Sequence, residues 1–123
     1  MKQPDEAKVE LYASYIVGTA GEAISKDVEI ELKNETFAVA MAAGTDVTGW
    51  FTNMPANWTA TVKEDVAAGD NLMTVTIGCA ADKTVAGAGD SGPDGFAGLT
   101  VPAEYLSGGN ALTAMQTFAY KVN

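Results

Sequence analysis

A chain of 123 residues fits one domain with a single continuous core and is too short for two comfortable ones. Sixteen acidic residues against seven lysines, with no arginine, give a net charge of -9, which excludes phosphate neutralisation by a basic face and argues against nucleic acid and anionic membranes as partners. Histidine is absent and cysteine occurs once, so imidazole-based triads, common zinc sites and an internal disulfide are excluded as well.

The first ten residues, with Lys2, Pro4, Asp5, Glu6, Lys8 and Glu10, lack the apolar centre of a signal peptide, and residues 1–7 read as a tether. No stretch approaches the roughly 20 apolar residues that a membrane-crossing helix requires, so no membrane insertion is expected. From residue 8 to 123 the governing signal is period-two alternation, the mark of strands with one buried face. Val9, Leu11, Ala13, Tyr15 and Val17 share one parity, opposite Lys8, Glu10 and Ser14. After a turn over Gly18–Gly21, Val28, Ile30 and Leu32 alternate with Glu29, Glu31 and Lys33. Phe37, Val39 and Met41 continue as a third run, read as strand although Ala38–Ala43 has helical propensity. Thr45–Thr48 offers a cap for a single helical turn before Trp50 and Phe51. Trp58, Ala60 and Val62 form a fourth run, and Met73, Val75, Ile77 and Cys79 a fifth. Leu99 and Val101 flank Thr100, Pro102–Leu106 predicts a second helical turn, and Phe118, Tyr120 and Val122 close the chain.

Seven short strands without long helices between them cannot make a parallel sheet, which needs crossovers. Two packed antiparallel sheets or a closed barrel remain; the short strands and uneven connections favour an all-β sandwich. Three segments then resemble bacterial immunoglobulin-like repeats of surface proteins. They are Gly18–Ile24 leading into 27–32, the string Met54-Pro55-Ala56-Asn57-Trp58-Thr59, and Leu99-Thr100-Val101-Pro102-Ala103-Glu104-Tyr105-Leu106. The resemblance covers about four-fifths of the chain by this strand-by-strand reading. It implies an immunoglobulin-like antiparallel sandwich of about seven strands and an extracellular or cell-surface location. It also implies a non-catalytic role as spacer or adhesion unit, with neighbouring domains or an extracellular protein or glycan as partners. The chain departs from the pattern between Ala80 and Gly98, where a Gly- and Asp-rich loop stands in place of a short connection.

Two groups of residues invite a site. Trp50 and Phe51 are adjacent, so in a strand one of them faces outward and could present an aromatic platform to a sugar or a protein. In the Gly-rich loop, Asp90, Ser91 and Asp94 could converge on one calcium ion, although the spacing is not that of an EF-hand and turn chemistry alone accounts for these residue types. No other cofactor is expected. Paired carboxylates could serve a glycosidase, but Glu29 and Glu31 fall on the polar side of their strand and catalysis is not expected. Cys79 shares the apolar parity and reads as a small buried hydrophobe. The competing accounts are a carbohydrate-binding module and a self-assembling shell or filament subunit joined through an exposed edge strand.

Overall fold

The computed structural model describes residues 6–54, 57–86 and 96–123. Among the described residues the alternating runs condense into nine strands: β1 (Lys8–Tyr12), β2 (Ile16–Gly18), β3 (Ile24–Lys33), β4 (Phe51–Thr52), β5 (Thr59–Val62), β6 (Leu72–Cys79), β7 (Phe96–Val101), β8 (Leu112–Thr113) and β9 (Phe118–Val122). They make two sheets, β1-β3-β6-β5 and β2-β9-β7-β4, with β8 also paired to β7. Set aside the short β2 and β8, and the first, second, fifth and fourth strands lie in one layer and the third, sixth and seventh in the other. That is the strand order of the immunoglobulin sandwich.

The first sheet is wholly antiparallel and built on β3, whose ten residues pair with β1 over Glu29–Lys33 and with β6 over Ile24–Glu31. Its inner face is the apolar parity of the sequence: Val28, Ile30, Leu32, Met73, Val75, Ile77, Ala60 and Val62 are all buried. Burial of each large side chain among them contributes about 1.5–3 kcal/mol, offset by the entropy of ordering it. The second sheet adds Phe118, Tyr120, Leu99 and Val101 from across the layer. Trp58 meets Tyr120 with ring centroids 5.3 Å apart, and Phe51 meets Phe118 at 6.1 Å, both in the tilted or edge-on geometry that aromatic quadrupoles favour.

The structure corrects three expectations. The run from Val9 to Val17 is not one strand. The chain leaves the first sheet after Tyr12, crosses over residues 13–15 and enters the second sheet as β2. The crossing resets the parity: Ile16 becomes buried, while Tyr15 and Val17, expected inside, are exposed. Nor is the segment from Phe37 to Met41 a strand. It carries isolated bridges only, Phe37 to Leu106 and Met41 to Val66, because it runs between the layers and drops a side chain into the core at its two ends, leaving Val39 outside. Among the described residues the count is accordingly nine rather than seven, since that segment drops out, the first run divides, and short pairings at β4 and β8 appear where no alternation marks them. Both expected helical turns are present as 3-10 turns, at Thr48–Trp50 and Ala103–Tyr105.

Strand direction decides where the two ends of the chain emerge. β1 and β2 run the same way, and β2 pairs in parallel with β9 through Ile16↔Tyr120, Val17↔Lys121 and Gly18↔Val122. The chain therefore enters the sandwich at the end near Lys8 and leaves β9 at the opposite end. Two backbone bonds tie that exit down: Asn123 N donates to the Gly18 carbonyl at 2.9 Å, and Ala20 N donates to the Asn123 carbonyl at 2.9 Å.

Candidate functional site

Trp50 and Phe51 do not form a platform. Trp50 is 4% exposed and packs on Tyr105 with centroids 5.0 Å apart; Phe51 is 7% exposed and packs on Phe118. The 3-10 turn over Thr48–Trp50 breaks the strict alternation that would have turned one ring outward, so both enter the core. Asp46 holds this turn, accepting from Thr48 N at 2.9 Å and from Thr48 Oγ1 at 2.5 Å; the hydroxyl bond first, then the backbone bond, keep its carboxyl below the usual carboxylate range. The expected calcium ligands Asp90 and Asp94 lie outside the described residues. Among the described residues, no three Asp, Glu, Cys or His side chains gather in a way that could hold a metal.

The structure instead brings together residues at the point where β1 leaves its sheet. Because β1 covers β3 only from Glu29 onward, the neighbouring stretch of β3 around Asp27 loses its flanking strand. The notch so formed is an open hollow of about 770 Å3, bordered by Tyr12, Ser14, Asp27, Lys63, Thr74 and Gln116. Alternation along β3 dictates that the Asp27 main-chain groups point toward this gap, since Leu32 N and its even-numbered companions face β6. Across the gap Gln116 reaches over from the segment before β9 and accepts from Leu11 N at 3.2 Å, capping the outer side of β1.

Tyr12, Asp27, Lys63 and Gln116 are each held by a partner. The Tyr12 hydroxyl lies 2.8 Å from Glu31 Oε1 and 3.2 Å from Glu10 Oε2, and being the only proton carrier it donates to these carboxylates. The bond to Glu31, partial desolvation and the Glu10 carboxylate together push the phenol up to about 12, because a phenolate would face two negative charges. Lys63 forms an ion pair with Asp27, and Thr76 Oγ1 donates to Asp27 Oδ1 at 3.0 Å. Donation from Lys63 and then Thr76 holds the Asp27 carboxyl low, and the same ion pair raises the Lys63 ammonium. A general acid needs a carboxyl raised toward neutrality, and the carboxyls of Asp27 and Asp46 are displaced the other way. What the hollow offers is an aromatic wall with an anchored hydroxyl, beside a fixed ion pair and hydroxyl groups.

Sequence reasoning passed over Tyr12, although the signal was there: it is an aromatic on the Lys8 and Glu10 parity, and a large ring on the polar side of a strand is an outward-facing ring. The Asp27–Lys63 pairing spans 36 residues and depends on strand register, which alternation alone does not reveal. With this geometry the molecule is defined as an all-β sandwich carrying a polar hollow on its outer face. No protein-family model, curated relative or solved structure matches the chain.

Proposed function

We propose that the chain is a non-catalytic immunoglobulin-like module of a bacterial surface or secreted protein, acting outside the cell as a spacer or adhesion unit. The observation that supports this is the passage of the chain through the sandwich from one end to the other, enforced by the parallel pairing of β2 with β9. A module whose ends emerge at opposite poles extends a polypeptide when copied in series, whereas one whose ends lie together folds the series back on itself. The net charge of -9 adds repulsion between neighbouring copies and favours extension. Recognition in such modules concentrates in loops and exposed faces carried by the rigid layers.

Tandem copies joined end to end test the reading by small-angle scattering. The largest dimension is expected to grow in proportion to copy number, with a rod-like distance distribution. A compact particle whose size grows only as the cube root of mass refutes it.

A second reading, carbohydrate binding, draws on Tyr12 rather than on Trp50 and Phe51. Tyr12 is 45% exposed and its hydroxyl is pinned, so its ring forms a pre-oriented wall beside hydrogen-bonding groups. Binding on a glycan array that disappears in Tyr12→Ala supports this reading; silence across the array, or binding indifferent to Tyr12→Ala, counts against it.

A further inference from the structure

We infer that the hollow beside Tyr12 takes an amino sugar whose amine is free and charged, with the pyranose against the Tyr12 ring and the ammonium on Glu29. This rests on the carbohydrate reading above and adds the class of sugar. Strand register assembles the site. Tyr12 pairs with Glu29 across β1 and β3, Glu29 pairs with Thr74 across β3 and β6, and Lys63 N donates to the Thr74 carbonyl at 2.9 Å. Val28 and Ile30 flank Glu29, Met73 and Val75 flank Thr74, and all four are buried, so alternation turns Glu29 and Thr74 outward. Tyr12, Glu29, Thr74 and Lys63 therefore form one row across the outer face of the first sheet, and each borders the hollow. Residues directly opposed on neighbouring strands stand about 5 Å apart at their β-carbons, so a ligand on the ring is within reach of the Glu29 carboxylate.

The charges around the hollow select among sugars. Among the described residues its one bordering cation, Lys63, is already paired with Asp27, so no ammonium is left over for a uronate or a sulfated unit. The Glu29 side chain has neither a hydrogen-bond nor an ion-pair partner among the described residues. A neutral sugar laid over it strips water from an unpaired carboxylate and gives back only hydroxyl contacts. An ammonium in the same place replaces that water with a charge-assisted bond. The ring favours the same ligand. Its hydroxyl proton is drawn toward Glu31 and Glu10, which leaves the ring richer in electrons and its face more attractive to a cation. The same bonds fix the ring before a ligand arrives, which lowers the entropy lost on binding. On the far rim Gln116 accepts from Leu11 N through Oε1, which leaves its NH2 to donate to a sugar hydroxyl.

Calorimetric titration of the full chain with matched pentamers of glucosamine, N-acetylglucosamine and glucose tests the assignment. The pH keeps the amine protonated, and physiological salt screens diffuse attraction. The glucosamine pentamer is expected to bind about tenfold more tightly than the other two, the advantage of one charge-assisted bond. Glu29→Gln should remove that advantage, and Tyr12→Ala should abolish binding of all three. Glu104→Gln makes the same change of net charge at an exposed residue outside the hollow and should leave the advantage in place. Equal weakening by Glu29→Gln and Glu104→Gln would mean general attraction to an acidic protein and overturns the inference. Neutral pentamers that bind as tightly as glucosamine, and still need Tyr12, overturn the amino sugar while keeping the carbohydrate reading. Binding to none of the pentamers removes both.

Discussion

The two sheets solve the same packing problem by different means. In β1-β3-β6-β5 the ladders are long, antiparallel and unbroken, and the inner face is aliphatic, supplied by residues such as Val28, Ile30, Met73, Val75 and Ile77. In β2-β9-β7-β4 the strands are short, one pair is parallel, and β8 and β9 occupy successive parts of the same flank of β7, at Thr100–Val101 and Phe96–Ala97. Regular pairing specifies register in the first layer, since a slip of one residue would turn every aliphatic side chain into solvent. The second layer has too few rungs for that and is held by rings with individual partners: Phe118 on Phe51, and Tyr120 on Trp58 with its hydroxyl on Asn53. One layer is fixed by repetition and the other by particular contacts.

Mutations can break this contrast. Phe118→Ala should produce the largest loss, about 3–5 kcal/mol by chemical denaturation, because a fully buried ring on a short strand leaves a cavity that few neighbours can fill. Gly18→Ala comes next. The added carbon would meet Ile24 Cδ1 at 2.6 Å and Cγ1 at 2.9 Å, and the repacking should cost about 1–3 kcal/mol. In the aliphatic layer, Ile77→Val removes one methylene and should cost only about 0.5–1.5 kcal/mol in the same measurement. Tyr120→Phe keeps the ring and loses the hydroxyl, for an expected loss of about 1 kcal/mol that sharpens the case for contact-by-contact locking.

The smallest effects come from the exposed polar groups of the first sheet. Tyr12 should ionise near 12 rather than at 10.0 when its ring carbon resonance is followed by NMR, and Glu31→Gln should bring the midpoint down. Since the folded phenol holds its proton more tightly than the unfolded one, its contribution is present below 10.0 and is lost as pH rises toward 12. Asp27 behaves in the opposite sense. Its depressed carboxyl supports the fold above the ordinary carboxylate range, and that support is lost as pH falls through the folded value. Both partners of the Asp27–Lys63 pair are well exposed, so added salt should erase most of the effect.

How much of the fold was legible in the sequence divides along the same line. Where the chain stays in one layer, as from Val28 to Leu32 or Met73 to Cys79, alternation in the sequence maps directly onto burial. Where it changes layer the period carries no warning. Residues 9–17 look continuous because Ala13, Tyr15 and Val17 keep the parity of Val9 and Leu11, yet the crossing at residues 13–15 puts Ile16 inside instead. Phe37 and Met41 are buried as their parity predicts without forming a strand, since a connection can bury two side chains four residues apart with only isolated bridges. The hollow beside Tyr12 exists only because β1 stops there, and Trp50 is hidden by a turn that the sequence did show but whose effect on direction it did not.

The parallel seam between β2 and β9 is what sends the chain out through the far pole, and amide hydrogen exchange reads it directly. In that seam the amides of Ala20 and Asn123 are bonded across the strands, and ladder alternation places Gly18 with them while Val17 points to solvent. Slow exchange is expected at Gly18, Ala20 and Asn123, beside fast exchange at Val17. Protection of Val17 with rapid exchange at Asn123 would contradict the parallel pairing and, with it, the passage of the chain from pole to pole.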